Sequence, residues 1–257
     1  MPNWCDNNLK ITGSYEELKR FYETAKGRGI LWDTDGVRKV TETKHIRKDA
    51  DGNDVEFDIP IESLDFSNFM FPVAINGTFH DVGYSWCCDN WGTKWNACDS
   101  HCDWDDNPEV QTGEEKTDEL LYYFNTAWSP ISEQLINCMQ GMFPKLKFST
   151  TFYEGGVGFY GGYNEEDGYL SHDIPNDEDM EDLFDRLLSA GYFNTEECSE
   201  EYRSDCVCDL YYKFEDMVVD SNEAKDTDDL YNYCIKEMQW EQSKKEGEDL
   251  YAGNETN

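Results

Sequence analysis

The sequence predicts an α+β protein: one antiparallel sheet with two helices on one face, followed by an acidic α/β extension. Three observations predict it. Apolar residues alternate at period two in several short runs, and between those runs they recur at helical spacing. Strand and helix patterns follow one another twice before residue 164, as in paired βαβ units. From Asn164 onward the composition shifts to seven Lys/Arg against 29 Asp/Glu, which marks a boundary.

The 257 residues carry 16 Tyr, 14 Phe and 8 Trp, enough bulk for a packed core, so a net charge of -35 describes the surface of a folded chain and not a disordered one. Residues 1–48 hold ten Lys/Arg against seven Asp/Glu; after Lys48 the balance is 11 Lys/Arg against 49 Asp/Glu. Such a surface repels phosphate backbones, which disfavours nucleic acid as a partner, and attracts basic proteins. The opening residues lack a basic and then apolar leader, so a cytoplasmic protein is expected. The longest uncharged run, Phe66 to Phe79, is broken by Pro72 and too short for a bilayer, so no membrane partner is expected. In a reducing compartment the ten cysteines read as thiols.

Leu9 to Thr12 alternates and stops at Gly13, a strand. Ser14 and Glu17 have capping-box spacing, and Tyr15, Leu18, Tyr22 and Ala25 line one helix face. A hairpin insert is expected over 36–60, with Val37–His45 and Val55–Ile59 flanking an Asp51-Gly52 turn. Asp49, Asp51 and Asn53 copy the first ligands of a calcium loop, but Asp54 and Pro60 stand where Gly and Glu are needed. Residues 61–85 read as loop-rich, and Asp99–Lys116 as a surface loop. Leu120 to Phe124 is apolar on both faces, a central strand. Ser129 and Pro130 have the chemistry of a helix start, with Ile131, Leu135, Cys138 and Met142 on one face of the helix that follows. Leu146–Tyr153 and Val157–Tyr163 form a second hairpin across Glu154-Gly155-Gly156. The economical architecture for 1–163 is a ferredoxin-like sandwich. Residues 164–257 read as an acidic extension packed on that core, with helices around Met180–Leu188 and Leu230–Met238, the latter ending near Gln242, and a strand over Cys206–Phe214.

Trp86 to Asp99 is the least random stretch, with three tryptophans, three cysteines and Lys94 in fourteen residues. It is expected to precede a strand of the first half of the sandwich. Trp91 and Trp95 there, with Trp128 ahead of the second helix, are expected to join the halves of the core, while Lys94 and Asn96 line a surface patch. Together Trp91, Lys94, Trp95, Asn96 and Trp128 are the candidate binding residues. No metal site is expected: Cys98, His101 and Cys102 are the nearest to a ligand set, but adjacent Cys87-Cys88 cannot supply the second pair that structural zinc requires. Gly156, Gly158 and Gly161 match Gly-x-Gly-x-x-Gly without the helix that would hold a pyrophosphate, so no cofactor is expected; these glycines let a ring or a strand approach the sheet. The four histidines are scattered, and no catalytic group stands out among so many carboxylates.

Met1-Pro2-Asn3-Trp4-Cys5 with Asn8-Leu9-x-Ile11-x-Gly13, then Asn90-Trp91-Gly92-Thr93-Lys94-Trp95-Asn96-Ala97, then Thr126-Ala127-Trp128-Ser129-Pro130, resemble the signature of the YubB-type ferredoxin-like family of bacteriophages and conjugative plasmids. The resemblance spans about residues 1–163. It implies a ferredoxin-like fold without iron–sulfur chemistry, in an accessory protein of a mobile element, and brings no catalytic residues with it. With the charge pattern, it makes the expected function a non-enzymatic accessory protein that binds a host protein through an acidic surface, in counter-defence or nucleic-acid mimicry. The alternative is a nucleic-acid-binding module in which Trp91, Trp95 and Lys94 form a stacking platform. A hydrolase or transferase built on Lys94, Asp89 and Asn96 is the third reading, with no substrate class to attach to it.

Overall fold

The structure is a computed structural model and describes residues 3–48, 53–193, 202–218 and 226–252. The chain forms two compact units, 1–171 and 172–257.

In the first unit β1 (Trp4–Thr12) leads into α1 (Tyr15–Ala25). Two hairpins follow, β2 (Ile30–Asp33) with β3 (Gly36–Lys39) and β4 (Lys44–Lys48) with β5 (Asp54–Asp58). Then come α2 (Tyr84–Trp91), β6 (Cys98–Cys102), the short α3 (Pro108–Thr112), β7 (Glu119–Ala127), α4 (Glu133–Met142), β8 (Lys147–Glu154), β9 (Phe159–Asn164) and β10 (Gly168–Asp173). The main sheet has the order β10-β9-β8-β1-β7-β6, with β1 antiparallel to both β7 and β8. Read without its additions, β1-α1-β6-β7-α4-β8 is a pair of interleaved βαβ units, the ferredoxin-like arrangement. Strands β9 and β10 extend one edge, and residues 26–97 are inserted between α1 and β6.

The period-two rule sets the core. Leu9 and Ile11 of β1, Leu120, Tyr122 and Phe124 of β7, and Phe148 of β8 are buried against Leu18, Phe21 and Tyr22 of α1 and Leu135, Ile136 and Met139 of α4. Phe21 sits at the centre, with ring centroids 5.0 Å from Phe69 and from Phe143.

Several local expectations are corrected. Ser14 occupies the α1 cap position without a side-chain cap bond; Glu17, its expected partner, instead pairs with Arg20 and Lys145. The 36–60 insert is only part of a larger one: Val37 pairs with Trp32 and not with the 55–59 run, because Thr34-Asp35 makes an earlier turn closed by Asp33 and Gly36. The Asp51-Gly52 turn lies outside the described residues. Within the 99–116 segment, expected as a surface loop, β6 and α3 form and Cys102, Trp104 and Val110 are buried. The second helix begins after Ser132, whose Oγ accepts from Leu135 N–H at 3.1 Å, and not at Ser129. On that helix Met142 is exposed and Ile136 and Met139 are buried instead.

The expected β8–β9 hairpin forms, and Gly161 shows why glycine is needed in it. A Cβ there would lie 2.1 Å from the carbonyl oxygen of Leu170 on β10. Its neighbour strand could not close.

The second unit is helical: α5 (Asp177–Ser189), α6 (Arg203–Asp216) and α7 (Thr227–Ala252), the last running ten residues beyond the expected end. Met180, Leu183, Phe184, Leu187, Leu210, Phe214, Leu230 and Cys234 are buried. The strand expected over Cys206–Phe214 is α6. Its alternation is fortuitous: Leu210 and Phe214 are buried at a spacing of four, while Cys208 and Tyr212 are exposed. Arg203 bridges to Glu181 and Asp185, and Lys213 to Glu237.

Candidate functional site

The tryptophan stretch begins as helix α2, entered through a turn at Phe79–Gly83 that Thr78 and Asp81 cap reciprocally. It ends at Gly92 in the left-handed region, φ 84°. A Cβ on Gly92 would lie 2.6 Å from Ser132 N, so glycine is required twice over, for its torsion and for the approach of the α4 entry.

Beyond Gly92 the chain is tied to the segment after β7. Thr93 is fully buried, and its Oγ1 both donates to Ala127 O and accepts from Ala127 N–H, each at 3.0 Å. Ser129 Oγ donates to Gly92 O at 2.8 Å, Ser132 Oγ to Asn90 O at 2.6 Å, and Ser132 N–H to Trp91 O at 2.8 Å. Asn7 Nδ2 donates to Thr126 Oγ1 at 2.9 Å, and Trp128 N–H to Asn3 O at 3.0 Å. The three separated motifs of the sequence thus form one hydrogen-bonded knot.

Each candidate residue has a definite place. Trp91 is 1% exposed, its indole N–H donates to Met70 O at 3.0 Å, and its ring meets Phe66 and Trp86 edge to face. Lys94 Nζ lies 4.4 Å from the Trp95 ring centroid. Trp95 is half-buried beside Trp4, and its Nε1 has no hydrogen bond among the described residues. Asn96 faces inward: Oδ1 accepts from Phe66 N–H (2.8 Å) and Ala97 N–H (3.0 Å), and Nδ2 donates to the buried Asp65 carboxylate (2.8 Å). Trp128 is half-exposed with φ 77°, a torsion that bulky residues rarely adopt. Asn96 is therefore a structural bracket and not part of a patch with Lys94.

Cys98, His101 and Cys102 do not converge. A bulge between Cys98 and His101 separates their directions; Cys102 is fully buried, and His101 is exposed and 3.3 Å from Asp106. Burial raises the thiol pKa of both cysteines. Among the described residues no group of three His, Cys, Asp or Glu side chains is placed to hold a metal ion.

Two arrangements escaped the sequence reading. One is a polar cluster on Asp105, which accepts from Tyr22 OH (2.9 Å), Lys26 Nζ (2.9 Å), Cys102 N–H (3.1 Å) and Ser63 Oγ. Burial works to raise the Asp105 pKa, but the hydrogen bonds from Ser63, Lys26 and Tyr22 outweigh it and hold the carboxyl below its ordinary value. Tyr22, by contrast, is raised, chiefly by burial, so the phenol stays protonated. The cluster braces α1 against the turn after β6 and supplies no activated base. The other is a cleft of about 360 Å³ behind the tryptophan stretch, lined by Arg28, Trp32, Glu62, Phe79, Cys87 and Trp95 among others. Its residues lie far apart in sequence, and only the 26–97 insert brings them together.

The fold and this knot define an α+β protein built on a ferredoxin-like domain with a helical C-terminal region. Residues 91–190 match the family model described as the ferredoxin-like domain in Api92-like protein. Among solved structures the chain is similar to the crystal structure of api92 from Yersinia pseudotuberculosis, at 9% identity and TM-score 0.39, over 68% of this chain and 99% of that one. No curated protein matches the chain. Among the described residues no helix is long and apolar enough to cross a membrane.

Proposed function

We propose that the chain is a non-enzymatic accessory protein of the YubB type, carried by a phage or conjugative plasmid and acting in the cytoplasm of the bacterial host. It docks a host protein of basic surface through its own acidic surface, in counter-defence or in imitation of nucleic-acid charge. The observation that carries this reading is the outer face of α5. There Asp177, Glu178, Asp179, Glu181, Asp182 and Asp185 are exposed. Arg203 neutralises Glu181 and Asp185, while Glu178 and Asp182 pair with no cation among the described residues. Elsewhere, cations such as Lys10, Lys26, Arg186 and Lys213 are already engaged with carboxylates. The excess of negative charge is what remains for a partner.

The nucleic-acid alternative has less support. A stacking platform needs an accessible ring face, and Trp91 is buried, packed with Phe66 and Trp86.

The test is affinity capture of the tagged protein from bacterial lysate at low and at high salt. A basic protein retained at low salt, released at high salt and lost with Glu178→Gln/Asp182→Gln supports docking through charge. Retention of no salt-sensitive basic protein would sink it.

A further inference from the structure

We infer that the cleft formed by the insert is a binding site for a guanine base. Its floor is held rigidly. The buried Asp65 carboxylate accepts from Gly29 N–H at 2.9 Å and from Asn96 Nδ2 at 2.8 Å, which fixes the Asn96 amide in place. A backbone bridge between Gly27 and Glu62 (2.7 and 3.2 Å) brings Glu62 beside Arg28.

The two charged side chains remain available. Arg28 donates only its Nε, to Ile59 O at 3.2 Å, and Glu62 accepts only at Oε2, from Ser100 Oγ at 3.1 Å, among the described residues. Neither forms an ion pair there, though both line the same cleft. The walls are aromatic: Trp32 and Phe79 meet edge to face at 6.4 Å and 66°, and Trp95 stands with them. Cys87 is no nucleophile, since burial and the adjacent Cys88 push its thiol up to about 12.

The chemistry selects the occupant. A cation would meet Arg28; an anion would meet Glu62 and a protein of net charge -35. A neutral planar ring with donors on one edge and acceptors on another satisfies both groups and stacks on the walls. Guanine does so best, offering N1–H and N2–H to the carboxylate and O6/N7 to the guanidinium. A volume of about 360 Å³ is near the small end of ligand pockets and suits a single nucleoside.

The test is a titration of intrinsic tryptophan fluorescence with guanosine and with adenosine, on the full chain and on Glu62→Gln and Arg28→Gln, with circular dichroism to check that each variant is folded. The expected result is saturable binding of guanosine, about tenfold weaker binding of adenosine, and about tenfold loss in each folded variant. A short guanine-containing single strand forms a further arm. Weaker binding than guanosine assigns a free nucleoside and tighter binding assigns a base within a strand, and both outcomes support the site if Glu62→Gln weakens them. No saturation by guanosine, equal binding of adenosine, or folded variants that bind like the parent would overturn it.

Discussion

Thr93 Oγ1 satisfies both backbone groups of Ala127, donating to its carbonyl and accepting from its amide at 3.0 Å each. One side-chain atom thereby closes the end of β7, as a paired strand would. Thr93→Val keeps the shape and removes the hydroxyl, leaving two buried backbone groups unpaired. It is expected to cost about 2–6 kcal/mol, from about 1–3 kcal/mol per orphaned group. Thr93→Ser retains most of the stability. Urea unfolding followed by tryptophan fluorescence separates the two.

Gly92→Ala is expected to be more damaging than its one carbon implies. It meets both a left-handed torsion, costing about 1 kcal/mol, and a 2.6 Å approach to Ser132 N that only a shift of the α4 entry can relieve. Amide exchange should quicken at Ser132 and Leu135. Unchanged exchange there would contradict the proposed approach.

Trp91 and Trp128 sit in neighbouring motifs and should respond very unequally. Trp91→Ala empties a fully buried site and should cost about 3–5 kcal/mol. Trp128→Gly removes a half-exposed ring but relieves its positive φ, so its net effect should stay below about 1 kcal/mol. Thermal melts of the two variants give the comparison.

Asp105→Asn should expose a pH-dependent contribution. The carboxyl is held below its ordinary pKa in the folded chain, so its stabilisation is present above the unfolded value and is lost as pH falls through the depressed folded one. The variant should be less stable by about 1–3 kcal/mol near pH 7, and the gap should shrink below about pH 4. Asp103 carries the opposite sign: burial raises its pKa, so protonation relieves a penalty as the solution becomes acidic. Stability curves of parent and variant between pH 3 and 7 test both.

The sheet could be read from the chain because its strands carry clean alternation. Leu9 and Ile11, or Phe148 and Phe152, declare their buried face in the sequence. Segments whose structure depends on distant partners could not be read so. Trp104 and Val110 lie in polar surroundings, and only their packing near Tyr15 and Tyr22 buries them. The alternation from Cys206 to Phe214 fits a strand as well as a helix until Leu210 and Phe214 are seen to be the buried pair. At the site, the tryptophan stretch attracted attention for its composition, yet Asn96 and Thr93 serve the backbone. The cleft's Arg28 and Glu62 are ordinary surface residue types with no local signature.

The long excursion from residue 26 to residue 97 sets the timetable of synthesis. β1 emerges first, but its two neighbours in the sheet are β7 and β8, with Leu9 opposite Tyr122 on one side and Thr150 on the other. Until Glu154 has left the ribosome, this apolar strand lacks at least one lasting partner, and closing loops of that length slows folding. The nascent chain therefore presents a sticky edge for most of its elongation, and its yield in the cell should depend on whatever shields that edge.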